Sequence, residues 1–489
     1  MVHRNGAHAL IYAVRVQVVV KYLGHVLVTL SVLFAVPLLA SLVYGEFHYT
    51  GRYAVVAGGC LLAGLVMMRR PVPRVVQVNE GMVVVSLAFL FTPLLAVYPL
   101  SAAGLPWVDI FFEAVSGVTS TGLTVMTDLA AQERTFLFAR AWLQWFGGLG
   151  IAVFSIALVW HHHLAARPLM EPVTGEHFLT AAHVHARRSV VVYSALTVAG
   201  IAALALFGGV TFDGVVHVFS AVSTGGFSSL DGGVAALQPS GLVLWLAVLA
   251  FFGAVSLSLL WRVFHPGFRG GLADLELRLF VVLTVGVSVS LAVLLAVENG
   301  CSWPQAFRQG FILGVFAQTT TGFTPVDISR LSATAQGVLM MAMFIGGGVG
   351  STAGGVKVMR VLLVYAALRA WRERAEAPAH AVVRPRLAGH VLDSEQLVRA
   401  MLVILVFVLT VVMSWLPFLH AGIEPLAGLF EVVSAVCTAG LSAGVTQPSL
   451  PDTLKIVLCI DMWLGRVEIL AMVLLLLPRT WFGSRLGDQ

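Results

Sequence analysis

Thr121-Gly122-Leu123-Thr124, Gly225-Gly226-Phe227-Ser228, Thr321-Gly322-Phe323-Thr324 and Ala439-Gly440-Leu441-Ser442 are four versions of one phrase. Each follows a short apolar run ending in small polar residues, as in Phe112-Glu113-Ala114-Val115-Ser116-Gly117-Val118 and Phe430-Glu431-Val432-Val433-Ser434-Ala435-Val436. The register is kept, because Glu113 and Glu431 each lie nine positions before their glycine. The four glycines are 104, 96 and 118 residues apart. A unit of that length cannot enclose a path through a membrane alone, whereas four units packed around an axis can.

Composition sets the solvent. Charged residues make up 11% of the chain and apolar ones 58%, and the mean hydropathy is +0.92, far from the balance of an ordinary soluble domain. Apolar runs able to cross about 30 Å of hydrocarbon are read at 24–44, 53–69, 81–100, 136–160, 189–208, 240–262, 275–297, 333–368, 398–418 and 453–477. The predicted fold class is an all-α polytopic membrane protein. Four pseudo-symmetric helix–pore-loop–helix repeats surround a central ion pore, with two N-terminal transmembrane helices in addition. The expected divisions are an N-terminal region with the helix pair (1–78) and repeats at 79–165, 186–265, 272–370 and 395–489.

Lys and Arg concentrate in cytoplasmic loops. The loops at 69–80, 161–188, 261–278 and 369–399 hold fifteen arginines, and the opposite loops hold only Arg52, Arg134, Arg308 and Arg330. This asymmetry places both termini in the cytoplasm and the glycine phrases outside. It also accounts for the net charge of +5 without a nucleic-acid partner. Cys60, Cys301, Cys437 and Cys459 are scattered without CxxC spacing and suggest neither a disulfide framework nor a metal site.

The residues just before each glycine are Thr119-Ser120-Thr121, Ser223-Thr224-Gly225, Thr319-Thr320-Thr321 and Cys437-Thr438-Ala439. Non-helical backbone at membrane depth is tolerated where it is buried in protein or lines a watery cavity. Small and hydroxylic side chains permit an extended backbone whose carbonyls face the axis, and glycine permits the turn that follows. Rings of carbonyls can replace the water around an alkali cation. The short helix before each loop would aim its partly negative C-terminal end at that cation. Small residues that merely ease helix packing are the plainer account of any single phrase, but four in one register exceed it. No carboxylate lies within the phrases, so a monovalent cation is expected. Glu113 and Glu431 either line the path or satisfy backbone amides. Asp128, Asp231 and Asp327 read as loop carboxylates that could raise the local cation concentration.

Two features fall where the cytoplasmic half of such a path would run. Residues 346–355, Gly346-Gly347-Gly348-Val349-Gly350-Ser351-Thr352-Ala353-Gly354-Gly355, contain six glycines and cannot hold a good helix. A loop here could block the path, with Lys357 and Arg360 behind it. The stretch fits a loose G-x-G-x-x-A but lacks a preceding strand, and Val356 spoils a Walker A loop, so nucleotide binding is not expected. Asp461, Arg466 and Glu468 lie in the last span, where charges normally face a cavity or a partner. Arg466 is either an electrostatic barrier opposite the glycine-rich loop or a member of an ion pair with Asp461 or Glu468. His161, His162, His163, His177, His183 and His185 share one cytoplasmic loop and do not call for a metal.

With these motifs the chain resembles the Trk/Ktr/HKT superfamily of potassium transport proteins, and within it the TrkH branch. The four glycine phrases, Gly350-Ser351-Thr352-Ala353-Gly354-Gly355-Val356-Lys357 and Gly465-Arg466-Val467-Glu468 carry the match. The resemblance implies potassium uptake across the cytoplasmic membrane of a bacterium, with K⁺ as the transported ion and no bound organic cofactor. It implies a selectivity filter at Thr119, Ser120, Thr121, Gly122, Ser223, Thr224, Gly225, Gly226, Thr319, Thr320, Thr321, Gly322, Cys437, Thr438, Ala439 and Gly440. A gate is implied at Gly346, Gly347, Gly348, Gly350, Ser351, Thr352, Gly354, Gly355, Lys357 and Arg466. Some plant relatives that favour sodium have serine at the first filter glycine, where this chain has Gly122. The implied assembly is a homodimer in the lipid bilayer, gated by a separate cytosolic nucleotide-binding ring of the TrkA type that docks on 369–399. A coupled K⁺/H⁺ or K⁺/Na⁺ symporter is the alternative, with Glu113, Asp461 and Glu468 as its titratable candidates. An intramembrane enzyme would need a nucleophile–base pair or a metal cluster, and the spans contain neither.

Overall fold

The computed structural model describes residues 13–72, 77–160, 175–264, 274–378, 380–467 and 469–482. Two long antiparallel helices lead, α1 (Val16–Tyr44) and α2 (Phe47–Met68). Four copies of one motif follow, each a long helix, a short buried helix and a returning helix. They are α3 (Val78–Leu100), α4 (Trp107–Val118) and α5 (Arg134–Trp160); α6 (Gly175–Ala203), α7 (Phe212–Val222) and the pair α8 (Ser240–Ala254) and α9 (Leu257–Val263); α10 (Leu275–Val297), α11 (Trp303–Gln318) and the pair α12 (Ala333–Ile345) and α13 (Val358–Glu376); and α14 (Ser394–His420), α15 (Pro425–Val436) and the pair α16 (Asp452–Arg466) and α17 (Ile469–Leu476). A last turn of helix, α18, covers Pro478–Trp481. A small antiparallel hairpin pairs β1 (Arg386–Leu387) with β2 (His390–Val391), between α13 and α14.

Seven of these helices are long and apolar enough to cross a membrane, or eight if the bent pair α8–α9 counts as one. Ten spans were expected, with only the eighth interrupted, at 346–355, and three are broken. The 240–262 run bends by 100° between α8 and α9. The 333–368 run opens at 346–357, and the 453–477 run is interrupted after Arg466. The first break exposes backbone that the glycine-rich loop then satisfies. Gly348 N donates to Ala254 O at 2.9 Å, and Leu257 N donates to Gly350 O at 3.1 Å. Two imperfect segments thus complete each other, as non-helical backbone at membrane depth must.

The burial pattern is that of a bundle in lipid. The short helices lie in the interior, with Asp109 through Val118 of α4 all buried. Large apolar side chains are left on the outside of the long helices, including Val281, Val282, Val285 and Val289 on α10 and Leu405, Leu409, Val412 and Leu416 on α14. Spacings of three and four residues put each set on one lipid-facing stripe. Between α1 and α2 the backbones meet at Gly24 and Gly64, where an added Cβ would lie 2.9 Å from Gly64 O and 2.8 Å from Gly24 O respectively. Small residues at such crossings let helices approach without a hydrophobic drive from water.

Candidate ion-conduction site

All four short helices end in the same turn. Ser120 N donates to Gly117 O and Thr121 N to Ser116 O. Thr224 and Gly225, Thr320 and Thr321, and Thr438 and Ala439 repeat the pair of bonds to the residues three and five positions back. This is the Schellman arrangement, whose turning residue is left-handed and usually glycine. Here it is Ser120 (φ 47°), Thr224 (φ 52°), Thr320 (φ 52°) and Thr438 (φ 48°). A left-handed non-glycine residue costs about 1–2 kcal/mol. Strain repeated at four equivalent places persists only where the surroundings impose it, and it points to function.

The loops then close on one another. A Cβ at Gly122 (φ +94°) would lie 1.9 Å from Gly225 O, and one at Gly226 (φ +88°) 2.4 Å from the Gly322 Cα. A Cβ at Gly322 would lie 3.0 Å from Ala439 O, and one at Gly440 (φ +81°) 2.0 Å from Thr121 O. Loop one therefore touches loop two, two touches three, three touches four, and four returns to one. The predicted residues Thr119–Gly122, Ser223–Gly226, Thr319–Gly322 and Cys437–Gly440 meet in one ring.

Behind the ring, charged and polar side chains hold the loops. Glu431 accepts bonds from Ala443 N (2.9 Å), Val445 N (3.2 Å), Ser442 Oγ and Thr446 Oγ1 (both 2.6 Å). Glu113 accepts from Val125 N at 2.9 Å and Thr124 Oγ1 at 2.7 Å and pairs with Arg140 at 2.7 Å. Of the two roles open to these glutamates, both satisfy backbone amides. His217 holds the same register position in repeat two, its Nε2 lying 2.9 Å from Ser228 Oγ. In repeat three the position is Leu313, and Thr324 Oγ1 turns to Val326 O instead. Asp231 joins the first two outer loops through Leu129 N at 2.5 Å. Asp128 and Asp327 make local bonds to Ala131 N and Ser329 N. Lys455 of α16 reaches Asp109 of α4 at 2.5 Å and ties the fourth repeat to the first.

The glycine-rich loop packs against the inner end of the ring. Thr320 Oγ1 accepts from Gly354 N at 2.7 Å, and Thr224 Oγ1 donates to Thr352 Oγ1 at 3.2 Å. Gly355 N donates to Cys437 O at 3.2 Å, and a Cβ on Gly354 would lie 1.9 Å from that oxygen. The loop thus touches the turns of repeats two, three and four. Gln318 Nε2 donates to Gly346 O (2.8 Å) at its start, and within it Val349 N donates to Glu276 Oε1 (2.9 Å). Ser351 Oγ donates to Gly348 O within the loop at 2.6 Å. Gly346, Gly350 and Gly355 take positive φ, and Gly347 packs on Ala353 and Ala254. Lys357 Nζ donates to Ala353 O.

Arg466, 3% exposed, donates from Nη1 to Thr352 O at 2.7 Å. The alternative of an ion pair with Asp461 is not what forms, since Asp461 accepts from Ser414 Oγ at 2.6 Å. Glu468 and His161–His163 lie outside the described residues, as do the side chains of His177 and His183. Among the described residues no group of three or more His, Cys, Asp or Glu is placed to hold a metal.

Arg140, Gln144, His217 and Lys455 were not singled out in the sequence. Two of them carried a signal, since Arg140 and Lys455 are charges inside expected spans. His217 carried another, because it stands nine residues before Gly226, as Glu113 and Glu431 stand before theirs.

Four helix–loop–helix units closing one axial ring define the class, a pseudo-fourfold membrane transport protein. The family model TrkH, described as a cation transport protein, matches residues 69–480, and the chain belongs to that family, one of transporters and not of enzymes. An uncharacterized cation transporter of Methanocaldococcus jannaschii is 24% identical over 463 residues, covering 94% of this chain and 95% of its own. The Trk system potassium uptake protein TrkH of Vibrio parahaemolyticus is 29% identical over 388 residues, 76% of this chain and 79% of its own. The crystal structure of the potassium transporter TrkH from Vibrio parahaemolyticus matches with a TM-score of 0.85 at 26% identity, over 96% of this chain and 100% of that one.

Proposed function

We propose that this chain is the potassium-translocating subunit of an uptake system in the cytoplasmic membrane. On this reading residues 79–165, 186–265, 272–370 and 395–489 are four pore units, and the residues from each triplet to its glycine form the K⁺ filter. The observation that carries the reading is the strained turn at Ser120, Thr224, Thr320 and Thr438 in loops that meet as a closed ring. Relatives named as potassium uptake proteins support the choice of ion.

Each turn directs the carbonyls that follow a helix C-terminus, where the partial negative charge of the helix lies. Carbonyl rings then replace water around a dehydrated K⁺, and the absence of carboxylates in the triplets suits a monovalent ion. Residues 346–355 are the gate: the loop sits against the inner ends of three filter segments and is held by Arg466. Opening requires the loop to give up its bonds to Thr320, Thr224, Cys437 and Arg466. A homodimer, cytoplasmic termini and a TrkA-type nucleotide-binding ring complete the proposal, with 369–399 and its hairpin as the docking surface. Two of the three candidates for coupled symport are already engaged, Glu113 by Arg140 and Asp461 by Ser414, and the third, Glu468, lies outside the described residues.

Expression in a bacterial strain lacking its own K⁺ uptake systems tests this reading. Restored growth at low K⁺ is expected. No growth, with the protein in the membrane beside a TrkA-type partner, overturns it.

A further inference from the structure

Arg140 and Gln144 stand one helical turn apart on α5, in the first repeat, yet both reach the second repeat's loop. The Arg140 guanidinium pairs with Glu113 at 2.7 Å, bonds Thr124 Oγ1 at 2.9 Å and Ser228 O at 3.3 Å, and stacks 4.0 Å from the centre of the Phe227 ring. Gln144 Oε1 accepts from Phe227 N at 3.0 Å, and a Cβ on Gly225 would lie 2.4 Å from the Gln144 Cδ. The residues they grip, Gly225, Phe227 and Ser228, flank Gly226 on both sides. Both side chains are buried.

The same point in the second and fourth repeats differs. Gly147, Gly253 and Gly465 mark one equivalent point, since a Cβ on each would strike the carbonyl just before a triplet, Val118 O at 2.0 Å, Val222 O at 2.5 Å and Val436 O at 1.8 Å. Counting back seven and three residues gives Arg140 and Gln144 in the first repeat, Leu246 and Ala250 in the second, and Leu458 and Met462 in the fourth. Burying a guanidinium and an amide is costly unless hydrogen bonds compensate, and apolar packing serves in these other two repeats. The fold therefore does not require polar groups at this point of the repeat.

We infer that Arg140 and Gln144 are specificity-determining positioning residues, a polar staple that fixes the second filter segment against the first. The inference rests on the proposed K⁺ filter. Neither side chain faces the ion. They hold the Gly225–Ser228 backbone from behind, so that its carbonyls cannot close inward around the smaller Na⁺. Discrimination between two ions is a difference of affinities, and a segment that can follow the smaller ion loses that difference.

The test is competition by K⁺ and Na⁺ for passive ⁸⁶Rb⁺ uptake into liposomes. It compares wild type, Gln144→Leu, the double variant Arg140→Met/Glu113→Gln, which strands no buried charge, and Leu246→Ala as a packing control. Thermal stability is recorded for each. Gln144→Leu and the double variant are expected to lose roughly tenfold in the preference for K⁺ over Na⁺, the scale of one hydrogen bond. Leu246→Ala should melt lower with an unchanged preference. An unchanged preference in folded Gln144→Leu overturns the inference, even if the double variant does not fold. An equal shift in Leu246→Ala overturns it too, because any loosening would then suffice. If ⁸⁶Rb⁺ passes neither through wild type nor through the opened Arg466→Ala variant, the potassium reading on which the inference rests falls instead.

Discussion

Arg466 Nη1 donates to the carbonyl of Thr352 at 2.7 Å, joining the last repeat to the middle of the glycine-rich loop. Its Nε and Nη2 make no hydrogen bond among the described residues, so among those residues this one bond is the arginine's hold on the loop. A hydrogen bond from a charged group contributes about 1.5–3 kcal/mol. Arg466→Ala removes both the bond and the positive charge beneath the ring. Passive ⁸⁶Rb⁺ flux through the reconstituted variant should rise roughly tenfold or more. Flux equal to wild type at equal protein would mean that Arg466 does not restrain the gate.

Thr320 links a strained filter turn to the loop, through its Oγ1 and Gly354 N at 2.7 Å. Thr320→Val keeps the shape and leaves the buried amide without an acceptor, at a cost of about 1–3 kcal/mol. The closed state is the one that loses the bond, so basal flux should increase. Shortening the 346–355 loop should raise it further, and normal expression with unaltered flux in both variants would sink the gate assignment.

Gly122 has both a positive φ of +94° and no room for a side chain, with Gly225 O at 1.9 Å from an added Cβ. Gly122→Ser must displace the first loop from the second. Na⁺ should then compete better against ⁸⁶Rb⁺, and the K⁺ preference should fall. A ratio identical to wild type would show that this glycine does not shape the filter.

Lys455 and Asp109 close the circle of repeats with a buried ion pair, the lysine also bonding Pro448 O at 3.0 Å. Breaking a buried pair by removing one partner costs about 3–5 kcal/mol. Lys455→Met should therefore lower the melting temperature in detergent markedly. Lys455→Met/Asp109→Leu should recover most of that loss, and a double variant as unstable as the single one would show that the pair contributes no more than packing.

The four-repeat plan was legible because it is written twice in the sequence, as hydrophobic runs and as glycine phrases in fixed register. The ring of Gly122, Gly226, Gly322 and Gly440 follows from that register alone. The breaks were harder to read. Residues 240–262 form an unbroken apolar run, and hydropathy cannot show a bend that exists because Gly348 and Gly350 of a distant loop satisfy Ala254 and Leu257. Only the glycines at 346–355 advertised a break from within. The staple of Arg140 and Gln144 was invisible for a related reason: its partners lie 88 residues away for Ser228 and 83 for Phe227. Arg466 was recognised as a charge at depth, but its partner is a backbone oxygen, which no side-chain pattern reveals.

Passive ⁸⁶Rb⁺ uptake into liposomes against an outward K⁺ gradient, with no proton or sodium gradient, tests the central claim most directly. Uptake suppressed by K⁺ and not by Na⁺ or Li⁺ is the predicted result. Uptake that appears only when a proton or sodium gradient is imposed would contradict a passive K⁺-selective pore closed by the 346–355 loop.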